Sequence, residues 1–164
     1  MRPKDCSLCA KIKKCSWFLK YQSNPERIGS WRASAGGNLS AMLGTSAGVA
    51  ELEGVSLGNA GVSSKVITSV DWFGPINFCI MDAEAAALGF TGRTNGESSP
   101  ESQLIGKAVQ SAPELVAKAN PTTYISADDA AFFILAGSMD RNIPYTQSRN
   151  FYDAIKSNRG KRRF

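Results

Sequence analysis

The 164 residues contain no histidine. From within these residues that excludes the side chain most used as a general base near neutral pH, which is also the commonest metal ligand. No apolar run approaches the ~20 residues needed to cross a bilayer, so no membrane span is expected. The opening Met1-Arg2-Pro3-Lys4-Asp5-Cys6 is charged and has no apolar core, so no signal peptide is read and the compartment stays open. The glycines between Thr45 and Ser64 have neither the spacing of a dinucleotide fingerprint nor a Gly-Lys-Ser/Thr ending. That segment reads as a surface loop, and no cofactor is expected. Cysteine is scarce: Cys6, Cys9, Cys15 and Cys79. Cys6-x-x-Cys9 has the spacing of half a zinc site or of a redox pair. A zinc site needs two more ligands, which histidine cannot supply here. Cys6, Cys9, Ile12 and Cys15 recur at about helical spacing, which reads instead as the buried stripe of a helix, with no metal. Internal repeats and low-complexity segments are absent.

What is present is ordinary for one globular domain: 43% hydrophobic and 20% charged residues. The net charge is +5, and the basic residues gather at the ends, at Lys11, Lys13, Lys14 and Lys20 and again at Arg159, Lys161, Arg162 and Arg163. A basic cluster can serve nucleic acid, but no nucleic-acid motif accompanies it. A solvated helix face and a basic tail over 157–164 account for it, and no nucleic acid is expected.

Read in order, 5–21 is an amphipathic helix, with lysines opposite a stripe of Cys9, Ile12, Cys15 and Phe18. Ser23-Asn24-Pro25-Glu26 is a turn. Ile28 to Ala33 is a strand, and Gly36 to Gly44 is a helix leaving it. Val66 to Trp72 is a second strand, rich in β-branched residues. Residues 77–119 mix short helical pieces (Asp82 to Leu88, Glu101 to Ala108, Ala112 to Lys118) with Gly/Ser/Pro loops, as a cap-like insertion over a site. Asn120 to Tyr124 reads as extended. Ala130 to Ala136 is a continuous apolar run, as expected of a strand buried on both faces. A helix follows over Tyr145 to Lys156, so 130–156 forms a strand-and-helix unit. The alternation predicts an α/β fold, a mostly parallel sheet with helices on both faces. Functional residues then belong at the carboxyl ends of strands, where Ser34, Trp72 and Asp140 fall.

The segment 27–44 organises this reading. A strand runs into Ser34 among small residues and leaves through Gly36-Gly37 into a helix. That is the pattern of a nucleophile elbow, in which a tight turn exposes the serine and the helix N-terminus offers amide donors to an oxyanion.

Several segments together resemble the α/β-hydrolases, in their esterase/lipase and feruloyl-esterase-like branch. They are Pro25-Glu26-Arg27-Ile28-Gly29, Ala33-Ser34-Ala35-Gly36-Gly37-Asn38-Leu39, Val70-Asp71-Trp72-Phe73-Gly74-Pro75, Asn120-Pro121-Thr122-Thr123-Tyr124, and Phe132 to Pro144 with its Gly137-Ser138-Met139-Asp140. They occur in the family's order. The resemblance implies Ser34 as nucleophile, the Ala35 backbone N–H as one oxyanion donor, and Asp140 as the acid that orients a catalytic histidine. Trp72 and Phe73 are read either as lining of an acyl pocket or as core. The implied substrate is a small ester, cleaved through an acyl-enzyme.

Three departures accompany the resemblance. Arg32 stands where the motif has its first glycine, and a guanidinium there is expected to crowd the turn. The triad histidine and the His-Gly-Gly type loop that completes the oxyanion hole are not in this sequence. The expectation is therefore a partial hydrolase domain that is weakly active or inactive, with self-association through exposed sheet edges. A non-catalytic binding protein of the same fold is the alternative.

Overall fold

The computed structural model describes residues 21–54, 56 and 62–160. The helix expected over 5–21, with its cysteine stripe, lies outside the described residues except for Tyr21. Three parallel strands form the sheet in the order β1-β2-β3: β1 is Gly29–Ala33, β2 is Thr68–Trp72 and β3 is Ala131–Leu135. Helix α1, Ala35–Thr45, leaves β1, and a short α2, Ala50–Glu53, lies in the glycine-bearing loop before β2. Helices α3 (Met81–Ala87), α4 (Pro100–Ile105) and α5 (Pro113–Lys118) occupy the insertion between β2 and β3. Helix α6, Tyr145–Gly160, closes the described chain and runs past Lys156 into the segment read as a basic tail.

Local chemistry explains the short helices. Pro100 opens α4 in the position where its missing N–H costs nothing, and Ser99 caps it by accepting from the Ser102 N–H at 3.0 Å. Gly106 ends it with φ +80°. The segment read as extended, Asn120 to Tyr124, is instead a 3-10 turn at Pro121–Tyr124, because the Asn120 side chain accepts from the Thr122 N–H and turns the chain.

Helix α1 lies on β1 and β2 at unusually short range. A side chain at Gly44 would meet the Phe132 ring at 2.5 Å, and one at Gly37 would meet Asp71 Oδ1 at 2.6 Å. Only glycine permits these approaches. A chain of hydroxyls fills the seam: Ser40 Oγ donates to Ser30 Oγ at 2.9 Å, and Ser69 Oγ donates to the Ser40 carbonyl at 2.7 Å. Beside it, Ala41, Ile76, Phe151 and Ile155 form a core cluster with Phe132 and Ile134 against it. The Phe132 and Phe151 rings meet edge to face at 5.2 Å.

The expectation of a sheet covered on both faces is not met among the described residues. Residues facing α1 and α6, such as Ser69, Asp71 and Phe132, are buried or half-buried. The opposite face carries Trp31, Val70 and Phe133 in register across the three strands, with Trp31 67% and Phe133 60% exposed. β3 is continuous in hydrophobicity, yet only its alternate residues pack on the core.

The insertion has its own small core of Phe78, Met81, Val109, Val116, Ala119 and Ile143. Gln147 of α6 ties it to the sheet. Its Oε1 accepts from the Ile76 and Asn77 N–H groups at 2.8 and 2.7 Å, and its Nε2 donates to Glu84 at 2.7 Å.

Candidate active site

Ser34 joins β1 to α1 with φ 56° and ψ −130°. A residue with a side chain rarely holds a positive φ, and doing so costs of order 1–3 kcal/mol. The conformation is held from both sides. The Ser34 N–H donates to the Trp72 carbonyl at 2.9 Å, which fixes the end of the strand. Its carbonyl accepts from the Gly37 and Asn38 N–H groups at 2.8 and 3.2 Å, which fixes the start of the helix. The side chain is left exposed at the turn. The Ala35 and Gly36 amides precede Gly37, the first amide that donates within the helix, and belong to the positive end of the helix dipole.

Arg32 is accommodated. The crowding expected at this position is relieved by Gly36: a Cβ there would lie 2.0 Å from Arg32 Cγ. The arginine stem lies over the bare glycine, and the strand and the turn keep their shape.

Beneath the elbow, α1 meets the loop after β2 through Gly37 and Gly74. A Cβ on Gly74 would fall 2.5 Å from the Asn38 nitrogen. Asn38 is buried and donates from Nδ2 to the Pro75 carbonyl at 2.8 Å and the Ala119 carbonyl at 3.1 Å, so it braces the helix against both ends of the insertion. Asp71 sits in this contact with 0% exposure. Its Oδ1 accepts from the Gly74 N–H at 2.8 Å, while Oδ2 has no partner. Burial pushes its carboxyl up to about 6, against the opposing pull of the Gly74 hydrogen bond.

Ser34 and Ala35 open onto a cleft of about 520 Å³, bounded also by Asp82 and Arg93 of the insertion and by Arg141 and Asn142 after β3. The insertion thus supplies one wall. Asp140 is half-buried at the turn following β3, where Oδ1 accepts from the Asn142 and Ile143 N–H groups at 2.8 and 3.0 Å. It shapes the loop whose next residues wall the cleft. Trp72 belongs elsewhere: it stacks on Trp31 at 6.0 Å on the opposite face of the sheet. Phe73 has φ 46°, donates its N–H to the Leu135 carbonyl at 2.7 Å and packs edge-on to Trp72. Neither aromatic ring is among the residues around the cleft beside Ser34.

Asp71, Arg93 and Arg141 were missed from sequence. Arg93 lies in a Gly/Thr/Asn loop and Arg141 follows a turn aspartate, both ordinary surface contexts. For Asp71 the one available signal was its placement two residues after Ser69, on the same face of β2 as the residues under α1.

The BD-FAE family model matches residues 17–155. No curated protein matches the chain. Among solved structures, a bifunctional GH43-CE protein of Bacteroides eggerthii is 31% identical with a TM-score of 0.79, over 94% of this chain and 20% of that one. A truncated form of a carbohydrate esterase from gut microbiota is 28% identical with a TM-score of 0.82, over 96% of this chain and 55% of that one. An acetyl ester-xyloside bifunctional hydrolase from Caldicellulosiruptor lactoaceticus, 20% identical with a TM-score of 0.64 over 94% of this chain and 50% of that one, shares the fold. The chain thus spans from 20% to 55% of these solved proteins. A parallel sheet, a strained serine where strand meets helix, and a family match across most of the length lead to one assignment: the chain belongs to the BD-FAE family and has an α/β-hydrolase fold.

Proposed function

We propose that this chain carries the nucleophile side of a serine esterase site that acts on esters of carbohydrates. The observation that carries the reading is the backbone of Ser34, φ 56° and ψ −130°, at the junction of β1 and α1 and at the mouth of the cleft. Such strain is maintained by hydrogen bonds on both sides and projects the hydroxyl outward, which a purely structural serine does not require. In this reading Ser34 Oγ attacks the ester carbonyl, and the carbonyl oxygen gains the negative charge of a tetrahedral intermediate. The Ala35 N–H donates to that oxygen at the positive end of α1. The alcohol departs with a proton, leaving an acyl group on Ser34, which water then removes. Asp140 is the acid that orients the base. The carbohydrate class rests on the names of the GH43-CE protein and the carbohydrate esterase that the chain is similar to.

A serine hydroxyl needs a base to attack at neutral pH, and none of the 164 residues is a histidine. Removing the base from a triad lowers turnover by roughly 10⁶-fold. These residues by themselves are therefore weak or inactive in turnover, though they present a formed nucleophile turn. The same absence favours a second reading, a non-catalytic protein of this fold that binds a carbohydrate ester in the cleft.

A fluorophosphonate probe separates the two. Slow labelling of the full chain, lost in Ser34→Ala with the circular dichroism unchanged, supports a nucleophile. Absence of labelling in a folded wild-type chain favours the binding reading.

A further inference from the structure

The cleft beside Ser34 is lined by two arginines that make no ion pair with a described carboxylate, together with Asp82 and Glu101. Arg93 and Arg141 both line it, one from the insertion and one from the loop after β3. Neither makes an ion pair with a described residue, whereas Lys118 pairs with Glu51 and Arg149 with Asp153. Glu97, four residues from Arg93 in the chain, makes no ion pair with it, and Asp82 of α3 is engaged by the backbone of the loop that carries Arg93. Its two oxygens accept from the Thr94 and Asn95 N–H groups at 2.8 and 3.1 Å. Those bonds hold the 91–95 loop against α3, and Gly92 packs so closely on Asp82 that a Cβ would lie 2.4 Å from its carboxyl carbon. Gln110 adds a brace, donating to Asn95 Oδ1 at 2.7 Å. The loop that carries Arg93 is thus fixed. Arg141 is also located, with its guanidinium 5.8 Å from the centre of the Phe90 ring. Glu101 is the remaining charge on the cleft wall, half-buried at the start of α4.

We propose that the cleft selects esters borne on an acidic saccharide, whose carboxylate is received by Arg93 and Arg141 while the ester reaches Ser34. This rests on the esterase or binding reading of the same cleft and names its substrate class. A uronate carboxylate is planar and matches the guanidinium fork, so it forms charge-assisted hydrogen bonds that a neutral sugar hydroxyl cannot replace. Glu101, also on the cleft wall, accepts from sugar hydroxyls and repels a carboxylate placed beside it, which sets the orientation.

The test reads binding, so it does not depend on turnover or on Ser34. Oligogalacturonate and a neutral xylo-oligosaccharide of equal length are titrated into the full chain by calorimetry at low and moderate salt. The uronate is expected to bind roughly tenfold more tightly, with the preference shrinking as salt rises. The preference is lost in R93Q/R141Q. Both arginines are exposed, and urea midpoints confirm that the double variant is folded. Equal binding of the two sugars, binding of neither, or a preference that survives R93Q/R141Q overturns the proposal. Failure of fluorophosphonate labelling with the charge preference intact overturns the nucleophile instead.

Discussion

Asp71 gives the sharpest quantitative handle on this structure. Its carboxyl is fully buried under the elbow, one oxygen bonded to the Gly74 N–H and the other without a partner. Burial raises it from 3.8 to about 6. A raised acid favours the protonated folded state. Below the unfolded value of 3.8 both states carry the proton and no penalty arises. As the pH climbs from there to about 6 the unfolded chain ionises freely while the folded one resists, so stability falls across that window and the loss is complete above it. A shift of about two units corresponds to about 3 kcal/mol. Asp71→Asn keeps the shape and the acceptor for Gly74 but cannot ionise. Its new amide donor faces the site where Oδ2 had no partner, at a cost of about 1–3 kcal/mol that does not vary with pH. Urea denaturation followed by circular dichroism at several values from pH 4 to pH 7 tests this. The wild type is expected to lose about 2 kcal/mol relative to Asp71→Asn over that range. The other carboxylates titrate in both proteins and cancel in the difference. Parallel pH profiles for the two proteins would show that Asp71 is not held in a raised, buried state.

Two further outcomes follow from the packing. Ser34→Gly removes the side chain that makes φ 56° costly, so the variant should be more stable by about 1 kcal/mol in urea while losing all fluorophosphonate labelling; a destabilised variant would mean the turn is not strained. Gln147→Ala strips the acceptor from the Ile76 and Asn77 N–H groups, at about 1–3 kcal/mol for each amide, and hydrogen exchange at those two amides should accelerate well beyond that of α1.

The elbow was legible because its signals are local. Small residues around Ser34, paired glycines after it and a strand-forming run before it sit within a few positions of one another, and backbone sterics act over that distance. The order of strands and helices was legible for the same reason, since periodicity and turn residues are short-range. Asn120 to Tyr124 was misread because one side-chain cap on Thr122 outweighs the extended look of Pro-Thr-Thr. The apolar run at β3 announced burial without saying how much of it the described chain covers: Phe133 stands 60% exposed.

What makes the site particular depends on how strand, helix and loops come together in space. Gly36 offsets Arg32, a compensation visible only once strand and helix fold together. Asp71 becomes a raised acid because Gly37 and Gly74 close over it. Trp72, at a strand end where function was expected, turns to Trp31 on the other face. Arg93 and Arg141 meet one cleft across 48 residues of chain. The sequence by itself determined the class of fold and the turn at Ser34, since these arise from steric and hydrophobic patterns between neighbours. Tertiary structure alone decided which charges are buried, which are left without partners and what faces Ser34, because desolvation and Coulomb interactions depend on distance in space and not along the chain.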